Sequence, residues 1–470
     1  ERSVQQSVAR KSAKKKDPRV PNPHTLKNTF VLELKNKEEN ILGLIEELNK
    51  NSKVEYAEPN YNYNVNDFTI DSEIIYPDKT VNTRNVSNTP DDPLYSQQAN
   101  ISSVKIDSVW SKYTTGDGSQ IIAILDTGID YNHPDLATNI WINEAELNGV
   151  EGFDDDGNGY IDDIRGWDFI NIDNEPLDDN MHGTHVAGIA GAVGNNGIGI
   201  AGAAWNVKLM PIKVFQASGF GDVLTISKGV EYAVENKATI INMSFSGSDS
   251  NTLRNILENA YSSSFLVAAT GNNKLDIGPC PGCSPRFPAA YTFVLGVESN
   301  GGYSNYDRDG PIFSGYGQQY NYETKAPGNS ILSTVPNGGY RELTGTSMAG
   351  PLMSGAIALY KQINPDDNKE LTFGNIINTK GDIYADINLA LEITPKPILK
   401  ITSIQLIDSV STNSYIDGEI DSGEQIHFYP VVKNYWSTAD SVKVEFRLGG
   451  NEFQNEFYKT KVSLIDSIVD

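Results

Sequence analysis

Between Ile101 and about Thr394, short apolar runs alternate with longer segments patterned for helices, and few folds accept that order. The runs are residues 120–125, 207–214, 239–243, 265–269 and 292–297. The clearest helical pattern between them covers residues 223–235, where Ile226, Val230, Ala233 and Val234 fall on one face. Strands that alternate with helices argue for an α/β fold with a doubly wound, mostly parallel sheet covered on both faces. In such a sheet ligands meet the carboxyl ends of the strands.

The flanks differ in character. Residues 1–27 are polar, include Pro21 and Pro23, and are expected as leader or linker. Residues 28–65 form a small α+β pattern: 29–35 is strand-like, 38–49 puts Ile41, Leu44, Ile45 and Leu48 on one helical face, and 54–57 is extended before Pro59. Residues 66–95 turn to Asn, Thr, Asp and Ser with little periodicity, as an exposed linker with a processing site would. The alternating pattern occupies 96–394. Thr394-Pro395-Lys396-Pro397 reads as a stiff linker, and beyond it 398–406, 425–432 and 442–448 look like strands with no helix between them. Residues 398–470 are therefore expected as a β-sandwich-like domain, too short for seven strands and so abbreviated or incomplete.

Charge narrows the function. Asp plus Glu (61) exceed Lys plus Arg (37) by 24, and so acidic a surface repels phosphate backbones, which argues against nucleic acid as a partner. No apolar run approaches the roughly 18 residues of a membrane span. The basic start, with Arg10, Lys11 and Lys14 to Lys16, has no apolar segment behind it and is not an intact signal peptide. Between Glu144 and Asp179 stand thirteen Asp or Glu against Arg165 alone, a balance of −12 that is half of the chain's whole deficit. Within that stretch Asp154, Asp156, Asn158 and Gly159 reproduce Asp-x-Asp-x-Asn-Gly, in which alternate oxygens face a hard cation and Gly permits the sharp turn. The expected Ca²⁺ ligands are Asp154, Asp156, Asn158, Tyr160, Asp162 and Asp163. Arg165 stands where an EF-hand needs Glu, so the site is read as structural and not as a sensor; a merely solvated acidic loop is the bland alternative.

Five histidines limit the search for a general base: His24, His133, His182, His185 and His427. Asp126 ends the apolar run 121–125 and so places a carboxylate at the carboxyl edge of the sheet. His182 opens His-Gly-Thr-His-Val-Ala-Gly, whose small residues suit a helix packed closely on that sheet. Ser347 lies in Gly-Thr-Ser-Met-Ala-Gly-Pro at the start of a helix running to about Ile363, facing unsatisfied N–H groups and the positive end of the helix dipole. Pro351 is tolerated only within a first turn, which puts the helix start near Ser347. His185 is read as a packed histidine and His133 as a turn residue.

The segments Asp126-Thr127-Gly128, His182-Gly183-Thr184-His185-Val186-Ala187-Gly188 and Gly345-Thr346-Ser347-Met348-Ala349-Gly350-Pro351 resemble the three signatures of the subtilisin-like serine peptidases, in that family's order. Ala268-Ala269-Thr270-Gly271-Asn272 resembles a fourth. The resemblance spans residues 96–390. It implies a serine endopeptidase in which His182 takes the proton of Ser347, Asp126 orients His182, and Asn272 serves the oxyanion hole. It implies that Ser244, Phe245 and Ser246 pair with an extended protein or peptide substrate, and that Ala269 and Gly271 line the pocket next to the cut. The family more often has Leu and Gly where Phe245 and Ser246 stand. Residues 28–65 resemble the family's inhibitory propeptide, which makes the chain its own intramolecular inhibitor, and the stretch from Asp91 to Gln97 resembles the family's mature start. A secreted or surface-associated, calcium-stabilised monomeric zymogen is the resulting expectation. For an exported protein Cys280 and Cys283, the only cysteines, are disulfide candidates. The rival reading keeps the fold and drops the enzyme: a catalytically silent calcium-binding adhesin or matrix-binding protein.

Overall fold

A computed structural model of the chain describes residues 4–5, 26, 29–34, 40–65, 68–77, 89–275, 285–291, 293–305, 324–379, 383–394, 399–409, 425–434, 439–443 and 464–468; for 4–5 and from 399 onward only the backbone is described. The five apolar runs form Ile121–Asp126, Lys208–Lys213, Ile240–Met243, Phe265–Ala269 and Leu295–Ser299. With Trp167–Asp168 and Thr324–Ala326 they make a seven-stranded sheet. Its order is Thr324–Ala326, Leu295–Ser299, Phe265–Ala269, Ile240–Met243, Ile121–Asp126, Lys208–Lys213, Trp167–Asp168. Every pairing in it is parallel, as the alternation requires. The two outermost strands are too short to leave a periodic signal in the sequence.

Successive residues of a strand face opposite sides, so each strand feeds two cores. Ile122 and Ile124 join the core beneath the helices His182–Gly191 and Thr346–Ile363, whereas Ala123 and Leu125 join that beneath Val223–Glu235 and Asn251–Tyr261. All four are fully buried. Helices thus cover both faces, and because the strands are parallel, Asp126, Met243 and Ala269 all reach the same edge. No helix among the described residues is long and apolar enough to cross a membrane.

Two features lie outside the sequence expectation. An antiparallel hairpin, Ile331–Val335 with Gly339–Thr344, stands beside the sheet, and Thr69–Ile70 adds to its free edge. Asn62–Asn64 pairs antiparallel with Phe220–Asp222. Part of the stretch read as exposed linker is therefore hydrogen-bonded strand. The small N-terminal unit contributes Val31–Leu32, paired with Val4–Gln5, and the helix Ile41–Asn49, whose Asn40 side chain accepts from Gly43 N at 3.2 Å. After Thr394 the backbone forms Leu399–Ser409 with Gln425–Asn434, and Ala439–Lys443 with Leu464–Ile468, both antiparallel. The Pro395–Pro397 linker and most of 442–448 lie outside the described residues.

From Asp91 the chain is woven into the large unit through the loop 195–201. Asp91 and Asp92 accept the N–H groups of Gly197, Asn195 and Asn196, and Leu94 N donates to Gly199 O at 2.8 Å. Asp135 meets the same loop, accepting from Ile200 N and Asn196 Nδ2, both at 2.9 Å. Burial pushes Asp92 up to about 6 and Asp135 up to about 7, and no Lys, Arg or His among the described residues pairs with either. Folded pKa values above the unfolded ones mean that the native state holds more protons, so stability falls as pH rises from about 4 through 7. In metal-free buffer the melting temperature should drop by on the order of 5 °C between pH 5 and pH 8, and Asp135→Asn should flatten that slope; calorimetry across pH checks both.

Candidate active site

The strand Ile121–Asp126 ends on a carboxylate with no exposed surface, and the helix His182–Gly191 begins on an imidazole equally buried. His182 Nδ1 lies 2.7 Å from Asp126 Oδ1. Such closeness needs two backbones to approach without side chains between them. A Cβ on Gly183 would stand 2.0 Å from Gly128 O, so only Gly fits there. The turn before His182 is held by Asp178, which burial raises and which accepts from Thr127 Oγ1, Asn180 N, Met181 N, Thr184 N and Thr184 Oγ1. These bonds hold Met181 at φ 101°, a left-handed conformation a methionine rarely adopts. Lys213, strand partner of Asp126, is 1% exposed and donates to Thr127 O at 2.6 Å and Asp179 Oδ1 at 2.5 Å. Asp178 and Lys213 were not foreseen, since neither has a local sequence signal.

Ser347 occupies the second position of the helix Thr346–Ile363, which places Pro351 in the second turn and not the first as expected. Proline offers no N–H to the carbonyl four residues earlier, that of Ser347. Ser244 Oγ takes the place, donating to Ser347 O at 3.1 Å, while Ser347 Oγ donates to Ser244 O at 3.1 Å. This exchange is what makes Pro351 tolerable beyond the first turn. Ser347 Oγ is thereby committed to Ser244 O, and His182 Nε2 is buried with no hydrogen-bond partner among the described residues. Asn272 Oδ1 accepts from Thr346 N and Thr346 Oγ1, both at 2.9 Å, which fixes Nδ2 as the outward donor; a Cβ on Gly345 would meet that Nδ2 at 3.3 Å.

The chain's own residues run through this cleft. Asn64 bridges Ser246, Val65 N donates to Gly219 O at 3.1 Å, and Tyr63, 1% exposed, sits edge-on to Phe245 with its hydroxyl on Ser248 O. Phe245 is itself buried against Phe215, ring centroids 5.0 Å apart. On the other side the Phe68 ring lies 5.1 Å from that of His182, and its Cβ would be 3.4 Å from one on Gly345. Ala269 is buried, and Gly271, at φ +94°, donates to Thr346 Oγ1 at 3.0 Å. The alternation Tyr61-x-Tyr63-x-Val65 is the signal that marks this segment as extended.

The acidic loop is closed by its own hydrogen bonds. Asp154 accepts from Gly157 N, Asn158 N and Gly159 N, and Asn158 Oδ1 from Tyr160 N. Carboxylate oxygens of Asp154 and Asp156 lie within 4.8 Å of one another and of Glu146, which the sequence reading missed. Glu146 is 3% exposed and receives Asp155 N, Asp156 N and Asp162 N. Asp162 and Asp163 stand outside that trio: Asp162 accepts from Gly152 N, and Asp163, raised by burial to about 7, from Tyr232 and Asn143. The Tyr160 ring packs on Trp167, Phe169 and Tyr232, leaving only its backbone to face the loop. Cys280 and Cys283 lie outside the described residues. His185 is buried with Nε2 2.9 Å from Arg341 O, and burial pushes it down to about 3, a neutral packed histidine; His133 Nε2 lies 3.1 Å from Gly339 O.

Residues 117–393 match the model of the subtilase family. Subtilisin-like protease 1 of Plasmodium vivax is 36% identical over 316 residues, covering 63% of this chain and 46% of the relative. The thermophilic serine proteinase of Bacillus sp. (strain AK1) is 35% identical over 346 residues, 72% of this chain and 70% of the relative. Thermitase of Thermoactinomyces vulgaris is 34% identical over 274 residues, 58% of this chain and 85% of the relative. The chain spans less than half the length of the Plasmodium proteins it matches. With more than half of its residues matched by the family model, and with the fold just described, this chain belongs to the subtilase family.

Proposed function

We propose that the chain is a calcium-stabilised serine endopeptidase, secreted as a self-inhibited zymogen and active as a monomer. The observation that carries this reading is the buried Asp126–His182 pair, whose Nε2 has no hydrogen-bond partner among the described residues and lies beside residues 62–65 and 68–70 in the cleft. Asp126 accepts from Nδ1–H and thereby leaves Nε2 as the proton acceptor. Rotation about χ1 frees Ser347 Oγ from Ser244 O; Oγ then bonds to the substrate carbonyl carbon while its proton passes to Nε2. The negative oxygen accepts from Asn272 Nδ2 and the Ser347 N–H at the helix start. Collapse breaks the C–N bond and returns the proton to the departing amine, leaving an acyl-enzyme that water opens by the same route. Replacing Asn272 with Ala should lower kcat by about 10²–10³ with little change in KM, read from initial rates on a peptide substrate.

The zymogen reading rests on how tightly the tail is seated. Glu58 accepts from Ser250 Oγ, Asn251 N and Thr252 N at 2.7–2.9 Å, capping the helix Asn251–Tyr261, and Asn60 Oδ1 accepts from Leu224 N, capping Val223–Glu235. Residues 62–65 lie on one side of His182 and Phe68 on the other, so the first cut belongs between Val65 and Phe68, with later trimming toward Asp91. Mass spectrometry of purified protein should find that new terminus. Ser347→Ala should remain whole and unlabelled by a fluorophosphonate. An uncut wild type with full activity would sink the zymogen reading, and an unlabelled one would favour the silent calcium-binding scaffold.

The acidic loop fits a hard cation: three carboxylates converge within a turn already folded, and no Lys or Arg among the described residues forms a salt bridge with them. Asp154, Asp156 and Glu146 would hold Ca²⁺, which supplies the missing positive charge and ties 144–163 to the body through Asp163 and Tyr232. Calcium is abundant outside cells, which supports export. EDTA should lower the melting temperature and speed inactivation, and Glu146→Gln should reproduce most of that loss while blunting the response to added Ca²⁺.

A further inference from the structure

Once the tail is cut and trimmed toward Asp91, the hairpin strand Gly339–Thr344 has a bare edge. Phe68 to Ile75 now lies along that edge on the leaving side of the cleft, and its contacts are mostly of a kind any extended peptide makes. Asp71 N donates to Glu342 O at 3.0 Å, Ile75 N to Tyr340 O at 2.7 Å, and Tyr340 N back to Ile75 O at 2.9 Å. Arg341, whose side chain is only 16% exposed, donates from Nε to Ser72 O at 2.7 Å. Three side chains meet the hairpin: the Asp71 carboxylate accepts from Thr344 Oγ1, and from Ser330 Oγ at 3.4 Å, Ser72 Oγ accepts from Glu342 N at 2.9 Å, and Glu73 stands 3.9 Å from the Arg341 guanidinium. Apolar burial holds only the ends of the segment, where Phe68 and Ile75 pack on the core, while Ile70 and Ile74 between them are 47% and 41% exposed. A strand held in its middle by backbone pairing and a few exposed polar contacts is exchangeable for another of the same kind.

We propose that this edge is an extended docking surface for the downstream flank of substrates, taking about eight residues after the cut by strand addition and favouring a carboxylate in the position of Asp71. The proposal rests on the endopeptidase reading above and adds to it where selectivity comes from. A chain with a net charge of −24 repels acidic peptides in general, so a preference for an acidic flank must come from local donors, here Thr344 and Ser330 at the position of Asp71 and the Arg341 guanidinium at that of Glu73. Backbone pairing by itself selects extension over helix or turn, which favours cuts in flexible regions of target proteins.

Processed enzyme and fluorogenic peptides test this. One peptide copies residues 59–77, a second ends at Thr69, and a third carries Asp71→Asn. Losing the downstream pairing should reduce kcat/KM at least about tenfold, chiefly through KM, and Asp71→Asn should reduce it about threefold. In the Arg341→Gln enzyme the advantage of the long peptide over the short one should shrink. Equal kcat/KM for long and short peptides overturns the proposal and leaves the endopeptidase reading intact. So does recovery of residues 69–75 still bound to processed enzyme after gel filtration, because the edge would then be permanently filled. Failure to cut any of the peptides overturns both.

Discussion

The contact between Asp126 and His182 sets the terms for the rest of the molecule. A carboxylate stripped of water is costly unless hydrogen-bonded, and Asp126 is wholly buried, satisfied at Oδ1 by His182 Nδ1 and Thr127 N. Its position is set by parallel strand register, because Ile121–Asp126 pairs along its length with Lys208–Lys213 and cannot slip without moving five buried residues. The imidazole is set by a helix start that needs Gly183 against Gly128, a left-handed Met181, and the five bonds of Asp178. A side chain held this firmly cannot wander, and little reorganisation remains for the moment of proton transfer.

On the serine side the same economy appears in another form. Pro351 removes a helical hydrogen bond from the carbonyl of the very residue that carries the hydroxyl, and Ser244 fills the vacancy. The segment after the strand Ile240–Met243 and the helix that carries Ser347 are thereby a single hydrogen-bonded unit. Thr346 extends the unit to Asn272 and Gly271, so the Asn272 amide is oriented by the same helix start. Changes in this group should couple strongly, since each residue satisfies a neighbour's buried polar atom.

The cleft has strand edges on both sides of His182, Phe220–Asp222 with Ser246 on one and Gly339–Thr344 on the other, and one continuous segment of the chain adds to all of them. Strand addition recognises backbone before side chain, so an autoinhibitory tail and a substrate compete for identical contacts. The deep burial of Tyr63 and the shallow hold on residues 69–75 make the upstream half the anchor and the downstream half the part more readily exchanged.

Much of this was legible in the sequence. Alternating apolar runs gave the parallel sheet, because strands buried on both faces and amphipathic helices have different periods. Asp126, His182, Ser347 and Asn272 were nameable because each sits in a short local motif at a strand or helix end, and Asp154-x-Asp156-x-Asn158-Gly159 marks its own turn. What the sequence could not supply are contacts between residues far apart along the chain. Glu146 joins the acidic trio from eight residues upstream, Lys213 reaches Asp126 only through strand register, and Ser244 repairs a helix that starts a hundred residues later. Local propensity and periodicity act over a few turns, so they determine which elements form and what chemistry each carries. Which side chains meet, which carbonyl needs a partner, and which bare edge the tail covers are decided by packing, where burial presses most polar atoms to find a neighbour regardless of its distance in sequence.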